Sequence, residues 1–226
     1  MGSAQVDEVP VPRDASSLIL VRDGLSGPEV LMGQRGAAAA FMPSKFVFPG
    51  GAVDPEDGAL PLSTELSPVC AARLSSGGNC AADALVGAAL REMWEEAGLA
   101  LGRPGKADLP PGWDGFAERG VIPSAAGLRY IFRAVTPPAR TRRFDARFFL
   151  ARAEAVVGDT GDFSAATDEL SHLHWLPLAE ARRLDLPFIT EIVLAEVAQR
   201  LTEDGPPPPV PFFDNTGPRP VFRRIA

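Results

Sequence analysis

Three glutamates stand within five positions of "REMWEEAGL", residues 91–99. On a helix turning about 100° per residue, Glu92, Glu95 and Glu96 fall within roughly 100° of arc. Val86, Leu90, Met93 and Ala97 make a separate apolar stripe at spacings of four, three and four. One face therefore packs, and another gathers negative charges that repel one turn apart. Hard carboxylate oxygens on one face suit a divalent cation, the simplest compensation for that repulsion. Arg91 lies beside Glu95 around the helix and can orient part of the cluster. The alternative is a solvated acidic face laced by Arg91–Glu95 pairing.

The elements that must position this cluster are legible as a mixed α/β pattern. The helix is expected to start near Asn79, a good N-cap, and to stop at Gly98, a good residue just past a helix end. "SSLILVRD" (16–23) and "PEVLMGQR" (28–35) read as a hairpin joined through Gly24 and Gly27. "KFVFPGG" (45–51) reads as a short strand running into a break. Residues 58–80 are Ser/Gly/Pro-rich and weakly periodic, and read as an insertion or long loop, a length uncommon without a function. "LRYIFRAV" (128–135), "RFFLAR" (147–152) and "LHWLPL" (173–178) read as strands. "LAEARRL" (178–184) and "ITEIVLAEVAQRL" (189–201) read as helices. "PPPPVP" (206–211) predicts polyproline II, a spacer carrying "FFDNTGPRPVF" back onto the body. The expected organisation is a tail over 1–15, a domain over 16–203 and a Pro-rich extension over 204–226.

"GGAVDPED" followed by "REMWEEAGL" resembles the signature of the Nudix hydrolases: Gly, five residues, Glu, seven residues, then Arg-Glu-apolar-x-Glu-Glu-x-Gly-apolar. The second half matches at every constrained position, Arg91, Glu92, Met93, Glu95, Glu96, Gly98 and Leu99. Two departures stand out. Counting from Gly51, the first glutamate position is Asp57. The spacer between that acid and Arg91 has grown to 33 residues, 58–90. A branch that includes a peroxisomal coenzyme A diphosphatase carries an insertion in the same place. "FMPSKFVFPGGAVD" after Arg35, "VTPP" (135–138) and "RFDARFF" (143–149) resemble that branch, and Asp54 with Asp57 resembles bacterial coenzyme A pyrophosphatases.

The resemblance implies an α/β fold, an α/β/α sandwich with a mixed, curved sheet between helices. It implies a hydrolase that uses Mg²⁺ or Mn²⁺ to cleave a diphosphate linkage by attack of water. Glu92 and Glu96 are the main expected ligands, a Gly50 backbone carbonyl completes the sphere, and Glu95 is a ligand or the partner of Arg91. The base is sought in "ATDELSHLHW", at Asp168 or Glu169; His172 and His174 lack zinc-like spacing. Arg35, Arg143 and Arg147, with Arg129, Arg140 and Arg142, are candidate phosphate binders. Phe41, Met42, Phe144, Phe148 and Phe149 line a nucleotide pocket or belong to the core. Coenzyme A or an acyl-coenzyme A is the substrate expectation; ADP-ribose, nucleotide sugars, dinucleotides or an oxidised nucleotide are alternatives. A non-catalytic ligand sensor usually loses a motif glutamate, and this chain keeps all three. An isoprenoid isomerase would need a catalytic cysteine, and Cys70 and Cys80 lie in the insertion.

The bulk properties agree. The chain has 226 residues and 46% hydrophobic content, enough for one large core. A net charge of −7 argues against a general nucleic-acid binder. With two cysteines, the expectation is free thiols. No apolar run approaches the ~20 residues of a membrane span. The first residues lack an apolar signal core, and "FRRIA" is not a peroxisomal S-K-L address. These features suggest a cytoplasmic enzyme or sensor, and the resemblance implies that its partner is a small nucleotide diphosphate. Since such proteins are often dimers, a homodimer is also an expectation.

Overall fold

Leu18, Ile19, Leu20 and Val21 are fully buried one after another. A strand with no polar face must be covered on both sides, and strand β1 (Arg13–Gly24) is the middle of such a sheet. The computed structural model describes residues 9–39, 41–78 and 80–226. The other strands are β2 (Gly27–Arg35), β3 (Phe46–Val47), β4 (Gly50–Ala52), β5 (Gly102–Pro104), β6 (Val121–Pro123), β7 (Arg129–Val135), β8 (Phe144–Arg152), β9 (Leu170–Pro177), β10 (Val210–Asp214) and β11 (Val221–Ile225). The helices are α1 (Pro68–Ser75), α2 (Ala82–Ala97), α3 (Asp114–Glu118), α4 (Leu178–Ala181) and α5 (Phe188–Thr202).

The large sheet runs β11-β10-β7-β8-β1-β2-β3, with β4 on β1 and β9 on β2. β1 pairs parallel with β8, and β10 pairs parallel with β7; the remaining ladders are antiparallel. The sheet is therefore mixed, as expected. One face buries Leu18, Leu20, Leu31, Tyr130 and Phe149 against α1 and α2. The other buries Ile19, Val21, Val30, Ile131 and Leu150 against α4 and α5. This is the α/β/α sandwich.

One topological detail makes the site. β1 carries β8 along one edge from Arg13 to Val21. Its other edge is shared: Val21–Gly24 pair with β2, and Ala15–Ser17 pair with β4. β2 thus leaves β1 halfway and takes β3 and β9 as partners. The Gly50–Gly51 segment fills the gap.

The insertion differs from the loop expected over 58–80. A 3-10 turn at Pro55–Ala59 leads into it, and it holds helix α1, whose first turn has Pro68 and a Ser67 Oγ accepting from the Cys70 N–H. Leu66, Cys70 and Leu74, spaced by four, are buried on α2 and the sheet. The segment was hard to read because its small polar residues dilute that stripe. Asn79, the expected N-cap, lies outside the described residues; α2 begins at Ala82, after Ala81, which brings no side-chain cap. Its end is as expected: Gly98 is left-handed (φ 70°) and donates its N–H to the Trp94 carbonyl. The β5–β6 ribbon and α3 had no counterpart in the sequence reading.

The proline run leads the chain back onto the body, but Val210 and Pro211, expected in the polyproline stretch, open strand β10 because they pair with β11. Buried Arg73 of α1 donates to the carbonyls of Pro207 and Pro208, and buried Arg200 of α5 to those of Pro208 and Pro209. A proline carbonyl still accepts, and here the two buried arginines supply the donors. β10 and β11 then extend the sheet from β7. Cys70 and Cys80 are free. Among the described residues, no helix is long and apolar enough to cross a membrane.

Candidate active site

Helix α2 is held against β1 and β4 so that its glutamates face the gap. Ser16 Oγ on β1 donates to the Leu85 carbonyl at 2.7 Å, and the Gly50 N–H on β4 donates to Glu96 Oε2 at 2.8 Å. Gly51 leaves the room that Glu92 occupies: a Cβ there would lie 2.5 Å from the Glu92 carboxyl carbon. A Cβ at Gly50 would instead meet Ser17 Oγ and the Ser16 carbonyl of β1, so one glycine makes room for the carboxylate and the other for the neighbouring strand.

Glu169 comes from the far end of the helix. The Thr167 N–H donates to the Glu95 carbonyl at 2.7 Å, and Ala165 and Ala166 press on Gly98. The chain then enters β9, where Leu170 registers with Arg35. Carboxylate oxygens of Glu92, Glu96 and Glu169 lie within 4.8 Å of one another. Glu92 and Glu96 are 7% and 1% exposed, whereas Glu169 is open to solvent.

Burial pushes the Glu96 carboxyl up to about 8, against the Gly50 N–H that favours its charge, with Glu92 adding repulsion. Burial likewise pushes Glu92 up to about 7, opposed by Arg91 and reinforced by Glu95 and Glu169. Two carboxylates that resist ionisation beside a third are short of positive charge. Oxygen-only donors that converge from three carboxylates fit a hard divalent cation held by Glu92, Glu96 and Glu169.

Arg91 braces this set from behind. Its Nε and Nη2 grip Asp57 at 2.9 and 3.0 Å, its Nη1 reaches Glu92 Oε1 at 2.9 Å and Glu95 Oε2 at 3.0 Å, and Nη2 also reaches the Ala52 carbonyl. Burial opposes the charge on Arg91, yet Asp57, Glu92 and Glu95 raise its pKa above the usual arginine range. The Arg91–Glu95 pair weighed from the sequence thus exists inside the larger cluster. Glu95 turns toward Arg91 and does not join the group of three.

The other expected site residues separate into two sets. Arg35, at the end of β2, lies close enough to Glu96 to favour its charge, and its buried Nε has no protein partner among the described residues. Phe41 meets Phe144 edge-on, centroids 5.2 Å apart, both half-buried. Arg143 is spent internally on the carbonyls of Thr136, Pro10 and Asn215. Arg147 is 1% exposed and paired with Asp14 and Asp145. Asp145 is also held by Arg133, so two buried arginines share this carboxylate. Arg140, Arg142 and Asp168 are exposed, and His172 and His174 lie along β9. Sequence reasoning missed the Ala52 carbonyl and Ser16; neither has a one-dimensional signal.

A NUDIX hydrolase from Alicyclobacillus acidocaldarius superposes with a TM-score of 0.62 at 29% identity, over 88% of this chain and 100% of that one. This is a Nudix fold. "Putative nudix hydrolase 7" of Caenorhabditis elegans is 29% identical over 177 residues, 73% of this chain and 51% of its own length. The chain therefore spans about half the length of that curated relative. No protein-family model matches the chain. Relative, structure and motif together support membership of the Nudix hydrolase family. The two segments that resemble the Nudix signature are separated in sequence by the insertion and meet in space: Asp57 and Arg91, 34 positions apart, are hydrogen-bonded.

Proposed function

We propose that this chain is a Nudix diphosphate hydrolase, with coenzyme A or an acyl-coenzyme A as its substrate. The observation that carries the reaction class is the convergence of Glu92, Glu96 and Glu169 on one pocket beside Gly50 and Gly51. A bound Mg²⁺ or Mn²⁺ would supply charge neutralisation at the diphosphate oxygens. Glu92 and Glu96 hold the negative charge that selects it. Glu169, exposed at the rim, takes the proton from the attacking water at its carboxylate. Arg91 and Asp57 keep Glu92 in place. Arg35, near enough to Glu96 to favour its charge, adds positive charge at the same site for a phosphoryl oxygen.

The substrate reading rests on the insertion and the flanking motifs. Because Arg143 and Arg147 face inward, recognition of a 3′-phosphate falls to the exposed Arg140 and Arg142. ADP-ribose, nucleotide sugars and dinucleotides are the competing substrates of the same chemistry. The test is a hydrolysis screen of these compounds with Mg²⁺ or Mn²⁺, with Glu96→Gln in parallel. Release of 3′,5′-ADP from coenzyme A, lost in the variant, is the expected result. Faster turnover of ADP-ribose or a dinucleotide would replace the substrate assignment. Metal binding without turnover of any compound would favour a ligand sensor.

A further inference from the structure

Gly87 stands in the middle of α2, where glycine normally weakens a helix relative to alanine. A residue tolerated at that cost needs a packing reason. A Cβ at Gly87 would overlap the backbone carbonyl oxygen of Asp57, with the carbonyl carbon at 2.8 Å and Cα at 3.1 Å. The obstruction is main chain, which no rotamer change can relieve. The 3-10 turn Pro55–Ala59 therefore rests directly on the helix at Gly87. Arg91 follows Gly87 by one turn on the same face.

That contact sets how far the Asp57 carboxylate must reach. Asp57 is 1% exposed and meets both Nε and Nη2 of Arg91, while its Oδ2 also accepts from the Asp54 N–H at 2.8 Å. Aspartate is one methylene, about 1.5 Å, shorter than the glutamate the Nudix signature places here. A Cβ at position 87 would drive the turn outward by roughly 1 Å to restore ordinary contact. The two lengths are comparable.

We infer that Gly87 is a positioning residue matched to Asp57: the absent side chain lowers the turn until a short acid can grip Arg91 and hold Glu92 toward the metal pocket. This rests on the reading of Glu92, Glu96 and Glu169 as a divalent-cation site. The matched pair predicts reciprocal rescue. Gly87→Ala moves the acid out of reach, Asp57→Glu crowds the closed seat, and the double variant restores the bidentate grip.

The experiment compares the full chain with Gly87→Ala, Asp57→Glu and the double variant. It titrates Mn²⁺ by calorimetry and records metal-free thermal midpoints. Each single variant is expected to bind Mn²⁺ about tenfold more weakly and to melt lower, and the double variant to recover both. Full Mn²⁺ affinity in Gly87→Ala, with only its midpoint lowered, would reduce Gly87 to a packing residue and overturn the inference. So would additive losses in the double variant. If the unmodified chain binds no Mn²⁺, the metal-site reading fails by itself; metal-free midpoints then decide the pair, rescue supporting it and additivity overturning it.

Discussion

The Gly50 N–H and Glu96 Oε2 are 2.8 Å apart, joining the turn before the split in the sheet to the deepest carboxylate of α2. A carboxylate has about four acceptor sites, so one backbone bond orients Glu96 and leaves it able to bind a cation. Glu96→Gln keeps the shape and removes the charge. Mn²⁺ affinity is expected to fall at least about tenfold, with turnover lost. The metal-free variant should melt no lower than the parent at pH 8, because an amide is easier to bury there than a carboxylate. Calorimetric titration and thermal melts check both halves; a marked drop in the metal-free midpoint would mean that Glu96 is a structural group.

Glu92 and Glu96 set a pH dependence of definite sign. Their folded values, about 7 and about 8, lie above the ordinary 4.5. Between these limits the folded state holds protons that the unfolded state has released, so this component of stability is lost as pH rises. The slope is at most about 1.4 kcal/mol per pH unit for each group. A bound cation replaces those protons. The metal-free midpoint should therefore fall from pH 5 to pH 8, and the gain on adding Mn²⁺ should grow over the same range. A gain independent of pH would sink the assignment.

Arg91→Lys tests the brace. A lysine cannot make the paired contacts to Asp57 while reaching Glu92, Glu95 and the Ala52 carbonyl. Breaking a buried pair by removing one partner costs about 3–5 kcal/mol, and this substitution, which keeps the charge, should cost less. Turnover is expected to drop about 10–100-fold with little change in KM. Wild-type kinetics would show that Glu92 is held well enough by Gly51 and burial.

The insertion should respond as part of the core. Leu74 is 2% exposed, so Leu74→Ala should cost about 2–5 kcal/mol. Arg73→Ala leaves the Pro207 and Pro208 carbonyls without these donors and should cost about 1–3 kcal/mol. Deleting 58–80 is expected to leave α2 helical while lowering stability and shifting substrate preference or assembly. Denaturant melts, sedimentation and the substrate screen measure these effects. Unchanged values in all three would make the segment dispensable.

Much of the site was legible because its chemistry is local. Glu92, Glu95 and Glu96 share a helix, and helical periodicity alone puts them on one side. Glu169 was legible only as one of two acids before a strand. Asp168, its neighbour, is one methylene shorter, and the choice between them also depends on the direction imposed when β9 registers with β2. The arginines misled for a related reason: "ARTRRFDAR" reads as a solvated basic run, yet alternation in β8 turns Arg147 inward, and Arg143 is enclosed by the carbonyls of three distant segments.

By itself, the sequence determined the central aliphatic strand, the acidic helix, its Gly98 stop and the Nudix signature, since each depends on neighbours a few residues away. Tertiary structure decided what lies across the chain from each of these. It brought Asp57 to Arg91 over the insertion, seated the turn at Gly87, aimed the Gly50 amide at Glu96 and selected Glu169 as the third carboxylate. Those choices depend on where β1 exchanges β2 for β4 along one edge, a pairing of distant backbones that local residue spacing does not encode.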